Sequence, residues 1–306
     1  MAPRPLCMHE ENHMDLNKNF IKTKRPCADG FRWFLQHHAQ GSDYQPLLDA
    51  LVAAGRVDDA CWLLTQFGPT SAVMTVDAIE ADALVFAGSL EVKGNIEIDT
   101  VLRAGGVIRA GGGIRAGLSI EGGDDIRAGG GIQCAGKLTA AGNVDAGWGI
   151  HVLGDMRVGG NLRAGWDIAC GGTLALDGDC GAGHEIVLGG PARCEQGIRA
   201  GGAITGQGPI RAGRGIESGG GIESGGHLEA AWGIKANGAV LAAGAIRVGE
   251  SLQAGEEIRA GEGYGVFAGL AVQQDRWDCS AQVQASERPR QLLSGHWVPR
   301  CEADDG

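Results

Sequence analysis

Residues 102–134 read LRAGGVIRAGGGIRAGLSIEGGDDIRAGGGIQC. An aliphatic residue returns every sixth position, at Leu102, Ile108, Ile114, Ile120, Ile126 and Ile132. Followed outward, the phase holds from Leu84 (LVFAGS, LEVKGN, IEIDTV) to IRAGEG at 258–263 and YGVFAG at 264–269, which makes 31 consecutive hexads without an insertion. Of the 32 leading positions from Leu84 to Leu270, 28 are Leu, Ile or Val; the exceptions are Met156, Cys180, Ala192 and Tyr264. A phase kept this long identifies a repeat architecture.

Each hexad alternates. The leading position (i) is a large aliphatic, i+1 is charged or polar (Arg103, Arg109, Glu217, Glu223), and i+2 is small and apolar (Ala104, Ala110, Ala128). Period two is a short strand with i and i+2 inward and i+1 outward. Glycine recurs at i+3 (Gly105, Gly111, Gly117, Gly129), which is expected to give the corner its positive φ. A second period sets the coil. Trp148, Trp166 and His184 all stand at i+4 and are 18 residues apart; Ala128, Ala146, Ala164 and Ala182 repeat in the same register, and Cys134, Val152, Cys170 and Leu188 form a bulkier neighbouring series. Three hexads per turn give an all-β fold: a single-stranded parallel β-helix, a triangular β-solenoid of about ten turns, about 50 Å long at the spacing of paired strands. Hexads in 18-residue coils are typical of left-handed helices, but i+4 is mostly Gly here. The preference of parallel crossovers then favours a right-handed coil.

Composition agrees. The 55 glycines in 306 residues are roughly two and a half times ordinary usage, without a collagen period. The net charge of −11 repels phosphate backbones and excludes nucleic acid as the expected partner; it suits a basic protein instead. Nine cysteines without a C-x-x-C pair fit reduced thiols in the cytoplasm and no zinc site. The first 20 residues have no apolar signal region, and no apolar run is long enough for a membrane span. Met8 and Met14 are alternative starts.

The ends depart from the repeat. ADGFRWFLQHHAQ reads as a helix. YQPLLDALVAAG reads as a second, with Ser42 or Asp43 at its N-cap and Gly55 at its end, and VDDACWLLTQFG as a third, stopped by Gly68-Pro69. Leu47, Leu48, Leu51 and Val52 form one apolar face and Cys61, Leu63, Leu64 and Phe67 another. Helices this short need a surface to pack on, and the open end of the solenoid near Val73 offers one. The expected division is a disordered extension (1–20), an α-helical cap (21–70), the solenoid (71–272), and a C-terminal cap and tail (273–306). A separate binding module is the alternative reading of the helices.

No residue pattern makes a catalytic site, and no cofactor or metal is expected. RAGGGIRAG is a run of corners, not a dinucleotide-binding loop, which occurs once between a strand and a helix. His184 suggests the base of a hexapeptide-repeat acyltransferase, but no loop interrupts the repeat and no second acid or base is visible beside it. His37-His38 reads as solvated. The partner-binding candidates are Trp148, Trp166 and His184, an outward row with Ala169, Ala175 and Val187, and Trp232, because exposed aromatics and apolar strips mark interfaces.

LVFAGSLEVKGNIEIDTVLRAGG (84–106) resembles the bactofilins, bacterial cytoskeletal β-helices, over about residues 84–270. That resemblance implies end-to-end polymers, a pattern from which the helical segment departs. KRPCADGFRWFLQHHAQGSDYQ with LLDALVAAGRVDDACWLLTQFGP resembles N-terminal regions of proteins of bacterial toxin-immunity loci. It implies a cytoplasmic protein that binds and neutralises a toxin domain. The expected function is therefore non-enzymatic protein binding of the immunity type, then a structural polymer of self-associating chains, and last an acyltransferase-like enzyme.

Overall fold

The computed structural model describes residues 15–16 and 18–299. Expectations for residues 1–14, 17 and 300–306, including both alternative starts, Cys7 and Cys301, lie outside the described residues. From Val73 to Trp297 the chain winds through three parallel sheets of 13, 12 and 11 strands, visited in rotation. Ile126 lies opposite Val144, Ala128 opposite Ala146, and Ala146 opposite Ala164, so each coil takes three strands and 18 residues. The chain makes about twelve turns. The strand Ile186–Leu188 carries the inside-outside rule plainly: exposures are 0%, 46% for Val187, and 1%. The leading and i+2 side chains form one continuous core from Phe86 to Ala285. Each Leu, Ile or Val placed there contributes about 1.5–3 kcal/mol as an upper bound.

The two turns beyond the hexad count come from strands outside the regular spacing. Val73–Val76 pairs with the strand 16 residues on, and Ile79–Ala81 with the strand 17 on. At the far end two residues are inserted: Ile246 pairs with Val266, not Tyr264. Val266 is buried and Tyr264 and Leu270 are exposed, so the last hexad does not keep phase. After a short helix at Trp277–Ser280, Val283 pairs with Leu252, and the strands Leu292–Ser294 and His296–Trp297 add a last layer. An aliphatic residue reaching the core matters more there than its spacing.

The corner glycines serve another purpose than expected. Positive φ is confined to Gly41, Gly55, Gly68, Gly263, Gly269 and Gly295 among the described glycines, none at an i+3 corner. A Cβ on Gly111 would stand 2.1 Å from the Lys93 carbonyl oxygen, and one on Gly129 2.2 Å from that of Gly111. The coils approach too closely for a side chain there. Other corners are tied by side chains: Asn143 accepts at Oδ1 from the Asn161 backbone N–H (2.9 Å), and Asp125 accepts from Asn143 (2.7 Å). These contacts sit 18 residues apart along one edge.

At the N-terminus α1 (Lys18–Thr23), α2 (Ala28–His37), α3 (Tyr44–Ala53) and α4 (Val57–Phe67) form a small unit. Gly55 and Gly68 end α3 and α4 with φ of +70° and +80°. Asp43 holds the N-cap of α3 without a side-chain capping bond; Ser42 and Asp43 instead pair as a short strand with Asp15–Leu16. The unit packs sideways. Its core of Leu16, Phe34, Leu47, Leu48, Leu51, Leu63 and Leu64 closes over Val85 and Ala87, on the outside of the strand Leu84–Phe86. Gln45 completes that outermost strand, donating to the Val85 carbonyl (3.1 Å) and accepting from the Ala87 N–H (2.8 Å). Met74, Val76 and Ile79 in the first coil stay partly exposed.

Candidate binding face

Trp148, Trp166 and His184 form one column on the edge between the 13-stranded and 11-stranded sheets. Each follows a strand of the former, such as Val144–Ala146, and precedes one of the latter, such as Ile150–Val152. The column is held by backbone bonds, Trp166 N–H to Trp148 (3.2 Å) and His184 N–H to Trp166 (3.1 Å). Trp148 and Trp166 are 72% and 58% exposed, and the His184 ring lies flat on Trp166, centroids 4.9 Å apart. Gly130 and Gly202 occupy the same corner one coil before and after the column, so the aromatic ridge stands between bare corners.

The 11-stranded sheet runs away from this ridge. Its outward positions pair coil by coil as Arg115, Gln133, His151, Ala169, Val187, Thr205 and Glu223. From Gln133 to Thr205 this outward row carries no carboxylate, ammonium or guanidinium group, over a span of about 20 Å. Beyond the far edge of this sheet Leu118 and Leu153 are also exposed. The other two outer faces carry ion-pair ladders: Arg109–Glu91 (3.8 Å), Arg127–Asp145 (3.7 Å) and Arg199–Glu217 (2.8 Å) on one, Arg103–Glu121 (3.4 Å) and Lys137–Glu121 (2.6 Å) on the other.

The structure thus brings together Trp148, Trp166, His184, Ala169 and Val187. It does not bring Trp232 to them: Trp232 follows Leu228–Ala230 of the 12-stranded sheet, on another edge, with the Arg214 guanidinium 5.3 Å over its ring. Ala175 also belongs to the 12-stranded sheet, not to the row of Ala169 and Val187. Leu118 and Leu153 went unnoticed because a Leu at a corner position looks like any other aliphatic in this sequence; its signal is that it falls out of the leading phase.

His184 has an acidic neighbour after all. Its Nδ1 is 3.0 Å from Asp167 Oδ1, which also accepts the Glu185 N–H (2.9 Å). That backbone bond first, and His184 next, hold the Asp167 carboxyl below the usual carboxylate range. The sequence hid the pair because Asp167 belongs to the corner one coil earlier. It is a half-exposed pair on an outer edge, suited to fixing the ring against Trp166.

No group of three or more His, Cys, Asp or Glu could hold a metal ion among the described residues. The seven cysteines among the described residues are free thiols. His37 places Nδ1 2.9 Å from the Trp33 carbonyl oxygen. A cleft of about 410 Å³ opens in the helical unit between Trp33, Trp62, Phe34 and Leu47. No described helix is long and apolar enough to cross a membrane.

In comparison with known proteins, the family model of the YdhT N-terminal domain matches residues 14–67. No curated protein and no solved structure matches the chain. The family match therefore covers the helical unit and ends before the first solenoid strand at Val73.

Proposed function

We propose that this chain is a non-enzymatic binding protein of the immunity type. It holds a partner toxin domain in the bacterial cytoplasm against the uncharged face of the 11-stranded sheet. The observation that carries the reading is the outward row Gln133–Thr205, free of formal charge and bordered by Trp148 and Trp166, on a chain of net charge −11. An apolar centre with an aromatic border and an acidic surround fits a basic domain with an apolar centre of its own. The match of residues 14–67 to the YdhT N-terminal domain is compatible with this reading. The test is co-purification with the product of an adjacent toxin gene: a stable one-to-one complex, lost in Val187→Glu, supports it. A complex that survives that substitution removes the face from the reading.

A second reading, end-to-end assembly of copies, rests on the first coil. The strands Val73–Val76 and Ile79–Ala81 are the outermost of their sheets, and Val73 is half exposed. Outermost strands are templates for further pairing. Light scattering over a wide concentration range separates the two: a constant mass favours the complex-forming protein, a mass that climbs toward filaments favours the polymer.

A further inference from the structure

The outer face of the 12-stranded sheet interrupts its own ion-pair ladder. Its outward positions pair as Arg157, Ala175, Arg193, Arg211 and Glu229. Arg193 and Arg211 lie directly opposite, a like-charge pairing that weakens a sheet. Arg157 makes no ion pair among the described residues, and Ala175 leaves a gap between it and Arg193. Alongside runs the edge row Thr173, Pro191, Pro209 and His227. Between the rows lies a trough of about 380 Å³ lined by Ala175, Arg193, Arg211, Pro191, Pro209 and His227. Its floor includes Leu174, Ala192 and Ile210, whose side chains turn into the core.

The polar groups of the trough are mainly donors. His227 Nδ1 accepts the Ala245 N–H at 3.0 Å, so the ring hydrogen sits on Nε2 and that nitrogen can only donate. Glu229, the one carboxylate in the lining, is shared between Arg211 (3.8 Å) and Arg247 (3.7 Å). Glu195 holds one side of Arg193 at 2.6 Å. Two guanidiniums on paired positions of adjacent coils can converge on one carboxylate or phosphate, each donating a charge-assisted hydrogen bond, and the prolines offer a rigid apolar wall.

We propose that this trough binds the anionic group, carboxylate or phosphate, of a small molecule. Its volume is at the small end of ligand pockets. The anion takes the place that a carboxylate occupies elsewhere on the ladders, bridging Arg193 and Arg211 and receiving a hydrogen bond from His227 Nε2.

The test is calorimetric titration of the full chain with inorganic phosphate and, separately, with glutarate. Saturable binding of at least one is expected. It should weaken by about tenfold or more in Arg193→Gln and in Arg211→Gln, as for loss of one charge-assisted bond. Ala175→Glu supplies an internal carboxylate at a row position where Glu121 and Glu229 already stand; it should keep the melting temperature and abolish binding. Phosphate alone binding assigns the site to phosphate esters, and glutarate binding to carboxylates. The proposal is overturned if neither probe binds, or if binding persists unchanged in a folded Ala175→Glu protein.

Discussion

The outer face of the 11-stranded sheet and the outer faces of the other two are built on the same backbone. They share the coil, the register and the interior, and differ only at i+1 and at the corners. On two faces those positions pair charges between coils, at 2.8 Å for Arg199 and Glu217. On the third they hold Ala169 and Val187 beside two tryptophans. The difference teaches that in this chain the residues that build the core and those of the proposed binding face alternate along one strand, so each set can be perturbed while the other is kept.

The largest expected effect breaks the inside. Ile186→Ala removes a side chain with no exposed surface and should lower stability by about 2–5 kcal/mol, read by denaturant unfolding. One residue along, Val187→Glu should leave stability nearly unchanged and weaken partner binding by about 2 kcal/mol or more, measured by calorimetry on the complex. Trp232→Ala, on a different edge, should leave that affinity alone; an equal loss there would mean that the partner does not read the uncharged face. Asn143→Ala removes one rung of the corner ladder and should lower stability by about 1 kcal/mol. Smaller still is Arg199→Ala: its pair is exposed on both sides, and the expected loss is about 1 kcal/mol or less.

Acid should act on the corners. The Asn143 backbone N–H bonded to Asp125, and the Glu185 N–H bonded to Asp167, hold both carboxyls below their ordinary range. A carboxyl lowered on folding stabilises the fold fully above its unfolded value of about 3.9 and loses that contribution as pH falls through the folded value. Unfolding followed downward from about pH 4 should therefore steepen, and Asp125→Asn should flatten the curve.

Most of the solenoid was legible because a hexad phase fixes both strand and corner, and an 18-residue sorting of small and large residues fixes the coil. The extra turns were not, since Val266 and Val283 enter the core by burial alone after insertions. Nor was the reason for the corner glycines, since crowding by the coil below involves residues 18 positions away and leaves φ ordinary. Of the candidate face, the column Trp148–Trp166–His184 and the pair Ala169–Val187 could be read from spacing. Placing Ala175 and Trp232 required assigning each hexad to its sheet. Asp167 beside His184 required a contact between successive coils, as did the sideways seat of the helices on Val85, an outward residue whose 0% exposure no alternation rule anticipates.

The 18-residue register also makes position along this molecule a matter of whole numbers. The helical unit grips the coil that opens with Leu84, and Trp148 and Trp166 stand three and four coils further on, about 14 and 19 Å at the spacing of paired strands. Duplicating one coil between them lengthens that gap by a single step and leaves the tryptophans on their edge. Duplicating a single hexad turns the whole downstream molecule by one side of the triangle, so that the same residues look out from a different flank. Length works as a ruler and phase as a dial, and the two can be set independently.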